Sequence, residues 1–361
     1  MPCRNQILRA QRTQQRQLPI RGSTHPPILF DPAAKREHQS EVFHHPARAL
    51  VGELLEQWFT IAATGWSPTT VRQTRSVLDR QLHPHLDRVL VGDLTTADID
   101  AMYSRLLDRG GISVQPLKAG TVQRVHVVLR SALAQAMRWG WIWDNPAERA
   151  HRIVVVSREP RPPTPGELVV LLEHLRRVDS AMYAFVMLAA TTGARRAQLL
   201  GLRWRNINLQ LGQVAFTNGW VEGPAGPVLA ETKSKRRHTV ELDATTAEVL
   251  TGFRNGRGSN DDRDGFVFST DDGVTWKPNW VTKVFQRHLV AAGLRPFRLR
   301  DLRHFTATEM LRAGVPLPIV SRRLDHRRIS TTLDFYAHVT PARDRFAADL
   351  LQSVLCSRPD N

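Results

Sequence analysis

Cysteine is almost missing from this chain: Cys3 and Cys356 stand at opposite ends of its 361 residues. Two thiols so far apart give neither a disulfide framework nor the paired spacing of a zinc site. Long apolar runs are absent too, and a membrane-crossing helix needs about 20 such residues. The first thirty residues are polar and Arg-rich, without the apolar core of a secretory signal, so a cytoplasmic protein is the expectation. Tyrosine is scarce, present at positions 103, 183 and 336. Lysine is confined to positions 35, 118, 233, 235, 277 and 283.

Positive charge is nevertheless abundant. Lys and Arg number 50 against 34 Asp and Glu, a formal net charge of +16. A field of that size faces a polyanion. No basic amphipathic helix or lipidation motif directs it to a membrane, which leaves nucleic acid as the partner class. At 42% hydrophobic residues the chain is globular, and its length favours two domains.

Residues 1–45 are rich in Gln, Arg and Pro with little periodicity and read as a flexible basic arm. From 46 the pattern is helical. "ARALVGELLEQWFTIA" puts Leu50, Leu54, Leu55 and Trp58 on one face. "SPTTVRQTRSVLDRQL" offers Ser67 as N-cap and Pro68 at the first helical position. "TTADIDAMYSRLLDRGG" has a Thr cap and a stop at Gly110, and "KAGTVQRVHVVLRSALAQAMRWGW" spaces Val122, Val125, Leu129 and Leu133 for burial. These four helices predict a compact unit over 46–150. Its outer faces carry Arg72, Arg75, Arg124 and Arg130, an expected phosphate-contacting surface. The tryptophans of "RWGWIWDNP" are expected in its core.

The proline-rich stretch within 151–166 reads as a linker. A mixed domain follows over 167–361, with helices at 165–178 and 180–192. β-like segments come next at "GQVAFT", "RRHTVEL" and "GFVFS", and helices return from "NWVTKVFQRHLVAAG" onward. "LAATTGARRAQLLGLRW" runs an apolar helix into Gly193 and restarts with Arg195 in the first turn. "ETKSKRRHTVEL" looks like a turn between strands carrying Lys233 and Lys235. "FRLRDLRHFTATEMLRAG" sets Arg300 and Arg303 on one helical face. "RRLDHRRIS" presents His326 at a helix end, and Tyr336 follows; His304 reads as structural.

Arginines, a lysine, a histidine and a tyrosine suit attack of a phenol oxygen on a phosphodiester. A tyrosine of pKa about 10 needs its proton removed or electrostatically disfavoured. Guanidinium forks grip non-bridging oxygens and stabilise the added charge, and lysine or histidine protonates the leaving oxygen. No carboxylate cluster suggests a metal, and no cofactor is expected.

In order, "TTGARRAQLLGLRW", "DLRHFTATEMLRAGV" and "SRRLDHRRISTTLDFYAHV" resemble the boxes of the tyrosine recombinase (phage integrase) family. The likeness spans about residues 46–350. It implies catalytic roles for Arg195, Arg303, His326 and the nucleophile Tyr336. The family's strand-turn lysine falls on Lys233, with Lys235 the competitor and otherwise a DNA contact. Three positions depart from the pattern: Arg300 replaces a histidine, Gln198 an acidic residue and Asp325 a glycine. The implied fold is mainly α with a small antiparallel sheet, a two-domain clamp in which a helical core-binding domain and a catalytic domain enclose double-stranded DNA. The implied activity is site-specific strand exchange through a 3′-phosphotyrosyl link, independent of metal and ATP. A homotetramer on paired DNA sites is implied, and a monomer or weak oligomer without DNA. A catalytically impaired DNA-binding architectural or regulatory protein of the same fold is the alternative, and a relaxing topoisomerase a third reading.

Overall fold

The computed structural model describes residues 48–110, 115–155, 161–231, 238–257 and 263–326. Lys233, Lys235 and Tyr336 lie outside these residues. The described residues belong to one compact unit that holds two large apolar clusters.

The first cluster is built by helices that begin where side chains can satisfy their free N–H groups. Helix α1 is Val51–Ala63, with Leu54, Leu55 and Trp58 buried. Helix α2, Pro68–Val77, opens on Ser67, whose Oγ accepts the Thr70 N–H at 3.4 Å. It continues into a π-helical turn, Leu78–Leu82, and the short α3, His83–Leu86. Helix α4, Thr96–Arg109, starts on a reciprocal pair: Asp98 N–H to Thr95 Oγ1 at 3.2 Å, and Thr95 N–H to Asp98 Oδ2 at 3.0 Å. Helix α5, Ala119–Arg138, buries Val122, Val125, Leu129 and Leu133, as the spacing predicts. A short α6, Pro146–Arg149, is capped by Asn145. Tyr103 is buried among these helices, its hydroxyl 3.0 Å from His126 Nδ1. One expectation needs correcting. Trp139 and Trp141 pack against this core, but Trp143, in the bend before α6, is 99% exposed.

The second cluster holds helices α7 (Pro165–Val178), α8 (Ser180–Thr192) and α9 (Arg196–Leu200). Strands β1 (Ile207–Asn208) and β2 (Gln213–Phe216) follow, then a hairpin of β3 (Asn218–Gly223) and β4 (Gly226–Glu231). Strand β5 (His238–Glu241) joins an antiparallel sheet of order β1-β2-β5, with Phe216 opposite His238. Helices α10 (Ala244–Gly256), α11 (Pro278–Ala291), α12 (Leu299–Arg312) and α13 (Leu317–Arg323) complete the described chain. The architecture is mainly helical with small antiparallel sheets.

The segment "GFVFS" is not a ladder strand. It makes single bridges at Phe266 and Ser269, and its two fully buried residues, Val267 and Phe268, are consecutive rather than alternating. Its backbone pairs with loop groups, Val267 N–H donating to Leu202 O at 2.9 Å. The β3–β4 hairpin, which sequence patterning did not foretell, meets α2 where Thr69 Oγ1 donates to Glu222 O at 3.3 Å. Among the described residues no helix is long and apolar enough to cross a membrane.

Candidate active site

The site forms where the ends of α8 and α13 meet the starts of α9 and α12. Helix α8 stops at Gly193, whose φ of 66° is left-handed, a conformation open to glycine at little cost. Glycine is needed there twice over, because an added Cβ would lie 2.4 Å from Leu324 Cδ2. Thr306 on α12 locks the same corner, its buried hydroxyl donating to Ala190 O at 2.7 Å.

Helix α13 closes in a Schellman turn: His326 N–H donates to Ser321 O at 3.0 Å and Asp325 N–H to Arg322 O at 3.1 Å. The residue such a turn forces into the left-handed region is Asp325, with φ 52°. That is where the resemblance expects glycine. Aspartate tolerates the conformation better than most residues, at a cost of about 1 kcal/mol relative to glycine. Leu324, fully buried against Ala307, Leu311 and Val320, anchors the turn.

Two arginines from distant segments converge on this turn. Arg195, the N-cap of α9, donates from Nη2 to Asp325 O at 3.0 Å and from Nη1 to Asp325 Oδ2 at 3.1 Å. Arg303, in the second turn of α12, donates from Nη1 to Gly193 O at 2.8 Å and from Nη2 to Leu324 O. Consecutive carbonyls, those of Leu324 and Asp325, thus hold the two guanidinium groups side by side. Gln198 fixes the backbone of the first: its Oε1 accepts the Arg195 N–H at 2.9 Å, the bond an acidic side chain would accept. Gln198 Nε2 is buried and unpartnered among the described residues.

Burial and mutual repulsion both weigh on the cationic groups of this site. Burial, then the charge of Arg195, pushes the Arg303 guanidinium down to about 9, partly opposed by Asp325. Burial, then the charges of Arg303 and Arg195, pushes the His326 imidazole down to about 4, so the ring is neutral at pH 7. His238 on β5 is likewise lowered by burial, with Asp325 opposing and Arg303 and Arg195 adding to it. His304 is lowered by burial and by Arg300 and Arg303, against Asp301. Asp325 is the carboxylate felt by Arg303, His326 and His238 alike. A second anion placed among these groups relieves them all.

Of the expected site residues, Arg195, Arg303 and His326 come together. Arg300 stands at the rim, its side chain 67% exposed and its Nε 3.9 Å from Asp301 Oδ1. Sequence reasoning passed over His238, whose signal was its place at the head of a strand directly after the basic run "KSKRR". Tyr103 and Tyr183 both serve apolar packing.

On the helical face of the other cluster, Arg72, Arg75 and Arg124 line a cavity of about 500 Å³ with Arg80 and Thr121. Arg75 is engaged within the protein, bound by both oxygens of Glu56 at 2.6 and 2.8 Å and lying 4.2 Å from the Phe59 ring centre. Arg124 meets Gln73, and Arg130 pairs with Glu148 at 3.0 Å. Arg72 is exposed.

Similarity to known proteins extends over both apolar clusters. The Phage integrase family model matches residues 164–343, and the Phage integrase central domain model matches residues 51–152. A tyrosine recombinase XerC-like protein of Caldanaerobacter subterraneus is 25% identical over 333 residues, 84% of this chain and 83% of that one. The ICEBs1 integrase of Bacillus subtilis is 19% identical over 346 residues, 93% of this chain and 92% of that one. The fold is similar to that of the Tn1549 transposon integrase solved with transposon right end DNA, with TM-score 0.72, 19% identity, and coverage of 84% of this chain and 100% of that one. A lambda integrase dimer bound to a COC' core site superposes with TM-score 0.64 at 18% identity, covering 84% of each chain. Both halves of the chain match, in the family's own order, so this protein belongs to the tyrosine recombinase (phage integrase) family and is a site-specific recombinase that breaks and rejoins DNA.

Proposed function

We propose that Arg195 and Arg303 hold the non-bridging oxygens of the scissile phosphate, with His326 donating a further hydrogen bond and Tyr336 supplying the nucleophile. The observation that carries this reading is the convergence of the two guanidinium groups on the carbonyls of Leu324 and Asp325. Forks fixed by main-chain bonds are oriented before substrate arrives, and such preorganisation is what stabilises charge building on phosphorus. The phenol oxygen of Tyr336 attacks phosphorus as its proton leaves to water or to His326. The bond to the 5′-oxygen breaks, that oxygen takes a proton from Lys233 (or Lys235), and a 3′-phosphotyrosyl link remains. A 5′-hydroxyl from a partner strand reverses the step, so bond energy is conserved without a nucleotide cofactor. Arg300, at the rim, contributes charge toward the DNA backbone.

In this reading the two apolar clusters are separate domains, 46–150 and 167–361, joined by 151–166 and closing around the duplex. Arg72, Arg124 and Arg130 contact backbone phosphates, and Arg75 does so after leaving Glu56. The arm at 1–45 adds basic charge. The protein works as a homotetramer on paired sites in the cytoplasm. The lambda integrase relative, which has been solved as a tetramer bound to a Holliday junction, supports that assembly by analogy.

The test uses a nicked suicide duplex carrying the cognate site. A detergent-stable protein–DNA adduct that disappears in Tyr336→Phe supports the reading. Tight binding with no adduct favours the architectural alternative.

A further inference from the structure

His238 sits where the sheet meets the Schellman turn. Its Nε2 lies 3.0 Å from Arg322 O. A carbonyl only accepts, so Nε2 carries the proton and Nδ1 the lone pair of a neutral ring. Nδ1 is buried and has no partner among the described residues. Phe216, the cross-strand neighbour, fixes the ring plane, with centroids 6.1 Å apart and an interplanar angle of 30°.

The acceptor matters more than the contact. Arg322 O also receives the Asp325 N–H at 3.1 Å, one of the two bonds that define the turn. A non-glycine residue stays in the left-handed region only when its surroundings over-determine it. Here the carbonyl that fixes Asp325 is itself tied to strand β5. Arg323 makes a second tie between the same elements, donating from Nη2 to Glu241 O and Thr191 O at 3.1 Å each. Moving Arg322 O moves the Asp325 amide and carboxylate, the Arg195 fork that both ends of Asp325 hold, and His326 one residue on.

We propose that His238 is a positioning residue of the strand-transfer reaction: by holding the Arg322 carbonyl it sets the turn that places Asp325, Arg195 and His326 around the phosphate. The role deepens, and rests on, the phosphate-binding function proposed above.

Two substitutions separate positioning from bulk packing. His238→Phe keeps an aromatic ring against Phe216, somewhat larger than imidazole, but removes the donor. His238→Gln places an amide N–H close to where Nε2 stood. Single-turnover adduct formation on the nicked duplex is expected to slow about tenfold in His238→Phe and to return within about threefold of the parent in His238→Gln, with DNA affinity of both within about twofold. In DNA-free protein, the His326 ring resonances are expected to shift in His238→Phe and to stay near their original positions in His238→Gln. Parent-like rates and resonances in His238→Phe overturn the proposal. Equal losses in both variants, tracking their melting temperatures, also overturn it by reducing His238 to packing. A parent protein that forms no adduct, but whose His326 resonances still respond to His238→Phe, refutes the phosphotyrosyl reading and leaves the coupling standing.

Discussion

Replacing Asp325 by asparagine is the sharpest probe of the site. In the DNA-free protein the Asp325 carboxylate occupies Arg195, 3.1 Å from Nη1. Asparagine accepts the left-handed conformation as readily, so the turn survives and only the charge is removed. The pair itself stabilises little: Arg195 is 45% exposed and Asp325 18%, and partly exposed pairs contribute about 0.5–1 kcal/mol after screening. The larger effect falls on substrate. A phosphodiester held by Arg195 sits roughly 5 Å from the carboxylate, and at an effective dielectric of 20–40 the repulsion is about 2–3 kcal/mol. Water at the rim reduces that further, so a gain of about 1–2 kcal/mol is expected, five- to thirtyfold in affinity. Anisotropy titrations of one duplex at fixed salt, in a Tyr336→Phe background that prevents cleavage, measure it. Adduct kinetics with Tyr336 present show whether the gain reaches the transition state. Unchanged affinity together with a hundredfold slower cleavage would refute the reasoning, because Asp325 would then be holding its neighbours in place rather than competing with the phosphate.

Arg303→Lys keeps a charge but loses the fork bonded to Gly193 O and Leu324 O, and adduct formation should fall about 10²–10³-fold with DNA affinity far less affected. Stability of the DNA-free protein should fall with acid. His326 is held at about 4 against 6.5, so the unfolded chain binds more protons between those values, and stability present above pH 6.5 is lost progressively as pH falls toward 4. His238 and His304 are shifted the same way, and melting curves across pH 4–7.5 read the sum. DNA binding below pH 6.5 should take up protons as phosphate restores His326 basicity, seen by calorimetry in buffers of different ionisation enthalpy. Gln198→Ala removes the acceptor for the Arg195 N–H and should lower stability by about 1 kcal/mol in urea titrations, with a larger loss in cleavage.

Much of the fold was legible because its helices announce themselves locally. Ser67 with Pro68, and the Thr cap before α4, are start signals whose hydrogen bonds are the ones found. The arginines were legible from their boxes, and Gly193 from the turn it permits. What escaped depends on tertiary context. "GFVFS" has strand composition, yet Val267 and Phe268 point into one core and their backbone is satisfied by loops, which no local pattern records. Trp143 shares its motif with two tryptophans that pack on the core, and no local pattern separates it from them. The left-handed turn at Asp325 was concealed by the absence of glycine, and His238 by a role that exists only once β5 lies beside the end of α13.

Both guanidinium forks hang chiefly from main-chain oxygens, the Asp325 carboxylate adding a second hold on Arg195 alone. Residues 324–326 can therefore diverge in chemistry while the guanidinium pair keeps its bearings, provided position 325 still enters the left-handed region and position 324 still fills its socket. Aspartate at that corner adds local charge to a left-handed turn that glycine would enter as well. Homologues that differ here should vary in how tightly they grip the scissile phosphate, and share the same placement of the arginines around it.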